Sequence, residues 1–82
     1  MSDEALLDKR RRIVGKKQTL KAILAGSAKV VYIARDAEKD VTDEIRNLCL
    51  QKGITLKDVE TMRQLGKSCG IEIGAAVAAL VE

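Results

Sequence analysis

The chain contains no histidine, one aromatic residue and two cysteines in 82 positions. Histidine is the side chain most often used for general acid-base catalysis, and a nucleophilic serine or cysteine usually needs a base beside it. Its absence argues against an enzyme. Tyr32 is the single aromatic residue, so the stacking platform on which RRM and OB-fold proteins hold single-stranded bases is missing. Any RNA bound here is held in another way. Cys49 and Cys69, with no histidine to join them, indicate neither a zinc site nor a disulfide framework and read as small buried apolar side chains. No metal and no cofactor is expected.

Long hydrophobic runs are missing too. The longest, Ala75 to Val81, is far short of the roughly 20 residues that span a bilayer. Met1-Ser2-Asp3-Glu4 is acidic rather than the basic start of a signal peptide. The expectation is a soluble cytoplasmic protein without membrane contact. A chain of 82 residues is expected to be one domain, because a core this small cannot be divided and still offset the entropy of folding. With 46% apolar and 33% charged residues it should fold, and no repeat or low-complexity segment occurs.

What the sequence does have is an uneven charge. Residues 1–21 hold seven Lys/Arg against three Asp/Glu, and residues 22–82 hold eight against nine, within a net charge of +3. From Lys9 to Lys21 there are seven basic residues and no acidic one. This suits a phosphate backbone, although a solvated face is the plain alternative.

The elements follow from periodicity. Ser2 is a candidate N-cap, and acids precede bases up to Arg12, which predicts a first helix over residues 3–11. Ile13-Val14 is a short apolar step ended by Gly15. Leu20, Ile23 and Leu24 then recur at helical spacing until Gly26, predicting a helix over 17–25. The β-branched run Lys29 to Ala34 has little alternation, as in a central strand covered on both faces. Val41, Ile45, Leu48 and Cys49 mark a helix over 41–52, ended by Gly53. Ile54 to Val59 forms a second strand, Glu60 to Ser68 a short helix, and Ala75 to Val81 a last strand. Apolar strands alternating with helices point to a sheet between helical layers.

One segment breaks a local rule. Lys16, Lys17 and Lys21 stand at the start of a helix, where the dipole is positive and each added cation costs about 0.3 to 1 kcal/mol. Such a violation marks a candidate functional site, and a polyanion would supply the compensation. Gly15 allows close backbone approach, the first-turn N–H groups point outward, and the lysines add charge around them. Gln18 carries an amide that both donates and accepts, suited to a base edge. A phosphate metabolite is another reading, but neither a Walker A pattern nor Gly-x-Gly-x-x-Gly occurs. In a second segment, Leu65 to Ala76, glycines bracket Ile71-Glu72-Ile73. Beside the helix start, those isoleucines would cover an unstacked base by apolar contact; otherwise they are core.

Together the two segments resemble the ribosomal protein L-seven-Ae family of kink-turn RNA binders, over nearly the whole chain. The family motif Gly-x-Asn-Glu-x-x-Lys stands here as Gly15-Lys16-Lys17-Gln18-Thr19-Leu20-Lys21, the form of small bacterial paralogues. Leu-Gly-x-x-x-Gly-Ile stands as Leu65, Gly66, Gly70 and Ile71. Tyr32 to Ala37 resembles the family's central strand and following loop, and Leu48 to Ile54 its third helix and next strand. The resemblance implies a three-layer α/β/α sandwich with a mixed four-stranded sheet, binding structured RNA that bends at a bulge beside tandem sheared G·A pairs, in ribosomal RNA or a messenger leader. It places Lys17 and Gln18 at the family's Asn and Glu positions facing the G·A pairs, with Lys21 supporting them. Glu38 falls at an acidic contact position, and Ile71, Glu72 and Ile73 fall in the loop over the extruded nucleotide. The change from Asn-Glu to Lys-Gln shifts affinity toward charge. The expected protein is a monomeric ribosomal or ribosome-associated kink-turn binder. Two alternatives stay open: a protein-interaction adaptor of the same fold, using Asp40, Asp43 and Glu44, and the detached RNA-recognition domain of an RNA-modifying enzyme.

Overall fold

The structure is a computed structural model and describes residues 6–81. Four strands, β1 (Arg12–Val14), β2 (Ala28–Ala34), β3 (Thr55–Val59) and β4 (Val77–Val81), alternate with three helices, α1 (Lys16–Ala25), α2 (Lys39–Lys52) and α3 (Met62–Ser68). The strands form one sheet in the order β1-β4-β2-β3. β4 runs antiparallel to both neighbours and β2 pairs in parallel with β3, so the sheet is mixed.

Alternation along the two central strands divides the core. Val31 and Ile33 of β2, with Val77 and Ala79 of β4, pack with Ile23 of α1 and with Ile45 and Cys49 of α2. Tyr32 and Ala34, with Ala78, face the other way and pack with Leu65 of α3, with Cys69 just past its end and with Leu6. Successive side chains on a strand point to opposite faces, and both faces here are covered. The result is the expected three-layer sandwich. Cys49 and Cys69 are free, buried and on opposite faces. α2 buries Thr42, Ile45 and Cys49 on one stripe, and Gly26 and Gly53 close α1 and α2 in the left-handed conformation (φ 77° and 68°).

The expected first helix is corrected over its described part; residues 3–5 lie outside the described residues. Leu6 and Leu7 end a short 3₁₀ segment, after which Asp8 organises a turn. Its carboxylate accepts the Arg10 N–H at 3.0 Å and its carbonyl accepts those of Arg11 and Arg12. The chain then enters β1, which the sequence reading took for a mere apolar step. β1 is three residues long and exists because the edge of β4 is open to it, with Arg12 opposite Leu80 and Val14 opposite Ala78. Arg12 locks this arrangement. Its guanidinium donates to the carbonyls of Leu6 (3.0 Å) and Cys69 (2.9 Å), joining the start of the described chain to the end of α3. α2 starts two residues before its expected start, because the Glu38 carbonyl already accepts from Val41 and Thr42, and β4 begins at Val77 rather than Ala75. Leu24, counted with the apolar face of its helix, is 65% exposed.

Candidate nucleic-acid interface

The hydrogen bonds and registers bring three connections to one end of the sheet. β1 ends at Gly15, whose N–H donates to the Val77 carbonyl (2.9 Å), and β2 ends where the Ala34 N–H donates to the Ala76 carbonyl (2.9 Å). The junction into α1, the β2–α2 connection (residues 35–38) and the loop that feeds β4 therefore meet around Ala76–Val77. All the predicted contact residues lie on these connections or on α1: Gly15, Lys16, Lys17, Gln18 and Lys21 on the first, Glu38 on the second, and Ile71, Glu72 and Ile73 on the third.

Gly15 takes φ 104° and ψ 156°, a backbone that side chains rarely adopt, which lets the chain turn sharply from β1 into α1. It offers no side chain to cap the helix, and the first turn of α1 contains no acid. The first-turn amides lie beside Lys17 and Gln18, both exposed. Lys16 differs from the lysines after it. Its Nζ sits 2.9 Å from Glu44 Oε1 on α2, so for this residue the like-charge penalty at the helix start is offset inside the protein. Among the described residues, Lys17 and Lys21 have no such acid beside them. Under them the Thr19 hydroxyl is buried, with no hydrogen-bond partner among the described residues.

The third connection doubles back along α3. Gly66 lies so close beneath it that a Cβ would collide with the Ile73 carbonyl, and a Cβ on Gly74 would come within 3.2 Å of Met62 Cβ. The Ala75 N–H closes the loop onto the Met62 carbonyl at 2.9 Å. Asp36 contributes from the second connection, its carboxylate accepting the Met62 N–H at 2.8 Å. Glycine at position 66 is therefore required by backbone-to-backbone packing. The loop's isoleucines divide: Ile71 is half-buried against the α3-side core, while Ile73 is 75% exposed. An apolar side chain held in solvent on a pinned loop is available to cover a ligand.

Sequence reasoning missed Arg35 and Lys39. Both are exposed on the β2–α2 connection or the first turn of α2, and the Arg35 backbone is fixed by its N–H bond to the Val59 carbonyl (2.8 Å). The available signal was their place just past the carboxyl end of a central strand, where ligands of open α/β sheets gather. Arg46 and Asp58 pair at 2.9 Å beside this end. The Arg46 hydrogen bond holds the Asp58 carboxyl below its usual range. Burial pushes both thiols, Cys49 and Cys69, above theirs. Among the described residues no group of three or more His, Cys, Asp or Glu is placed to hold a metal, and no helix is long and apolar enough to cross a membrane.

The single basic stretch of the sequence is not a single surface. β1 and Gly15 carry Lys16 and Lys17 to the end just described, with Lys21 half-way along α1 on a depression that reaches Val81, and leave Lys9–Arg11 at the other end, where the Val81 N–H donates to the Arg11 carbonyl (2.7 Å). Arg12, between them, is an internal tie.

The profile of the family described as "Ribosomal protein L7Ae/L30e/S12e/Gadd45 family" matches residues 3–82. An RNA-binding protein of Caldanaerobacter subterraneus subsp. tengcongensis is 51% identical over 69 residues, 84% of each chain. The large ribosomal subunit protein eL8 of Haloquadratum walsbyi is 38% identical over 69 residues, 83% of this chain and 58% of that protein. Among solved structures, a Giardia lamblia 15.5kD RNA binding protein superposes with a TM-score of 0.88 over 98% of this chain and 68% of its own, at 22% identity. That likeness is one of fold.

Proposed function

The chain belongs to the ribosomal protein L7Ae/L30e/S12e/Gadd45 family, and from that premise we propose that it binds RNA through the α1 end of the sheet and selects a kink-turn. One observation carries the reading. The uncapped helix start with exposed Lys17, Gln18 and Lys21 shares an end of the sheet with a pinned loop that holds Ile73 out in solvent.

The division of labour follows from chemistry. First-turn amides, Lys17 and Lys21 meet the phosphates that crowd together at a sharp bend, where repulsion between strands is greatest. Gln18 presents donor and acceptor to the edges of the G·A pairs, and the Glu38 carboxylate accepts from base amino groups. Ile73, with Glu72 beside it and Ile71 anchoring the loop in the core, covers the base that the bulge extrudes. Such a surface fits only the bent conformer, so binding moves the bent–extended equilibrium by the difference in affinity between the two. The protein acts as a monomer on ribosomal RNA or on a messenger leader, in the cytoplasm, and no chemical step is involved.

A kink-turn duplex carrying a donor and an acceptor dye on its two stems tests this. Addition of protein raises energy transfer, and an unkinked duplex of equal length binds far more weakly. Unchanged transfer together with equal affinity for both RNAs would sink the kink-turn reading. The adaptor reading predicts instead a partner protein whose binding resists added salt and tolerates Lys17→Ala with Lys21→Ala.

A further inference from the structure

The end of the sheet opposite α1's start gathers six cations on four segments: Lys9, Arg10, Arg11, Lys29, Lys52 and Lys67. The registers place them at one end of the sheet, with Lys52 and Lys67 on the helices of opposite faces. Val81 lies between Arg11, whose carbonyl it bonds, and Ala28 on β2. Lys29 and Lys52 line one open depression of about 530 Å³, and Lys67 precedes Cys69, whose carbonyl Arg12 holds at 2.9 Å. Asp8 is the carboxylate here among the described residues, and its ion pair to Arg10 is loose, at 3.7 Å, with the Arg10 side chain 91% exposed.

Stability accounts for only part of this cluster. All three helices end here, and lysines in the last turns of α2 and α3 complement their dipoles. Lys9, Arg10 and Arg11 sit in a turn and Lys29 on a strand, where no dipole asks for them. Each helix terminus contributes about −0.5 charge, so among the described residues, with Asp8 included and Lys29 left aside, the end remains at roughly +2 to +3. At the α1 end, by contrast, cations alternate with Asp36, Glu38, Asp40 and Glu72.

We propose that this opposite end is a second RNA-contacting surface, gripping the phosphates of a flanking RNA segment irrespective of its sequence. The assignment rests on RNA being the ligand of the α1 end. Lys29 and Arg35, six residues apart on and just beyond β2, lie about 20 Å apart, and Lys21, half-way along α1, lines the same depression as Val81, so both surfaces are within reach of one folded RNA. A surface of clustered charge without an ordered set of base-reading amides positions a backbone and carries no sequence preference. The first surface chooses the bend, and the second holds what leads away from it.

The test compares a minimal kink-turn RNA with one whose stem is extended by about one helical turn, using wild-type protein and the triple variant Lys9→Ala/Arg10→Ala/Arg11→Ala. Arg12 is kept, and circular dichroism and thermal melting confirm the fold. The variant should bind the minimal RNA like wild type and the extended RNA about 10-fold more weakly, with the slope of log K against log salt reduced by about 2 to 3. Lys29→Ala/Lys52→Ala should act in the same direction. Equal losses on both RNAs, or none on either, overturn the proposal. So does binding to vesicles with 30% phosphatidylserine that the triple variant abolishes while extended-RNA affinity is untouched, since that assigns the surface to a membrane. If wild type binds no kink-turn, the first reading has failed on its own. A plain RNA duplex then decides the second, which stands if the duplex binds and the triple variant releases it and falls if not.

Discussion

The two ends of the sheet are built from the same parts in opposite orientation. At one end helices begin, glycine leaves α1 uncapped, and a loop is pressed so tightly onto α3 that its apolar tip stands in solvent. At the other, helices finish and cations from four segments collect at the end that holds Val81. Net positive charge is scarcer at the first end, yet that is where shape and hydrogen-bonding pattern are fixed. Positive charge attracts RNA; fixed amides, an exposed isoleucine and a carboxylate distinguish one RNA from another.

The largest expected effect breaks this contrast at its strongest point. Lys17→Ala with Lys21→Ala should lower kink-turn affinity by about 100-fold and the salt slope by about 2, measured by filter binding across a salt series. A loss no greater than that of the far-end triple variant would mean that the ends do not differ in kind.

Placement of the loop comes next. Gly66→Ala forces the Ile73 backbone away and should cost about 1 to 3 kcal/mol in urea unfolding, along with most of the kink-turn affinity. Arg12→Ala should cost a similar amount, since two hydrogen bonds from a charged donor are lost. With protein kept fully folded, its kink-turn affinity should nevertheless stay close to that of wild type. If Arg12→Ala weakens binding as much as Gly66→Ala, the ends are coupled through α3 and cannot be treated separately.

Within the loop, Ile73→Ala should reduce kink-turn affinity several-fold with stability unchanged within about 0.5 kcal/mol, because its side chain is exposed. Ile71→Ala should do the reverse, lowering the unfolding midpoint first. Equal behaviour of the two would contradict their division between solvent and core.

The smallest effect concerns pH. Both thiol pKa values are raised in the fold by burial, so the unfolded chain releases those protons first. Their contribution is complete below about pH 8.5 and is lost as pH rises beyond it. Asp58 has the opposite sign: its lowered pKa favours the fold above about pH 4, and this is lost on acidification. Because the thiols lie on opposite faces of the sheet, Cys49→Ser and Cys69→Ser should each remove part of the alkaline loss, as urea midpoints against pH would show. A flat profile above pH 9 would deny the burial of both.

The sequence by itself determined the layers. The β-branched run of β2, the apolar stripe of α2 and the glycines at 26 and 53 act locally or through one face, so their spacing could be read directly, as could the burial of both cysteines. The candidate contact residues were legible as motifs because a helix start and a glycine-bracketed loop leave marks within a few residues. Tertiary structure decided the rest. β1 is three residues long and has no identity without β4 some 65 positions away, which is why residues 8–11 read as helix and fold as a turn. Arg12 and Lys16 looked like members of one basic run until Cys69 and Glu44 were brought to them. Arg35 became a candidate only when the end of β2 was set beside Gly15. Charge along a chain says how much there is to bind with, and pairing between distant strands says where it points. Here that pairing parts one run of seven cations between the two ends of a sheet.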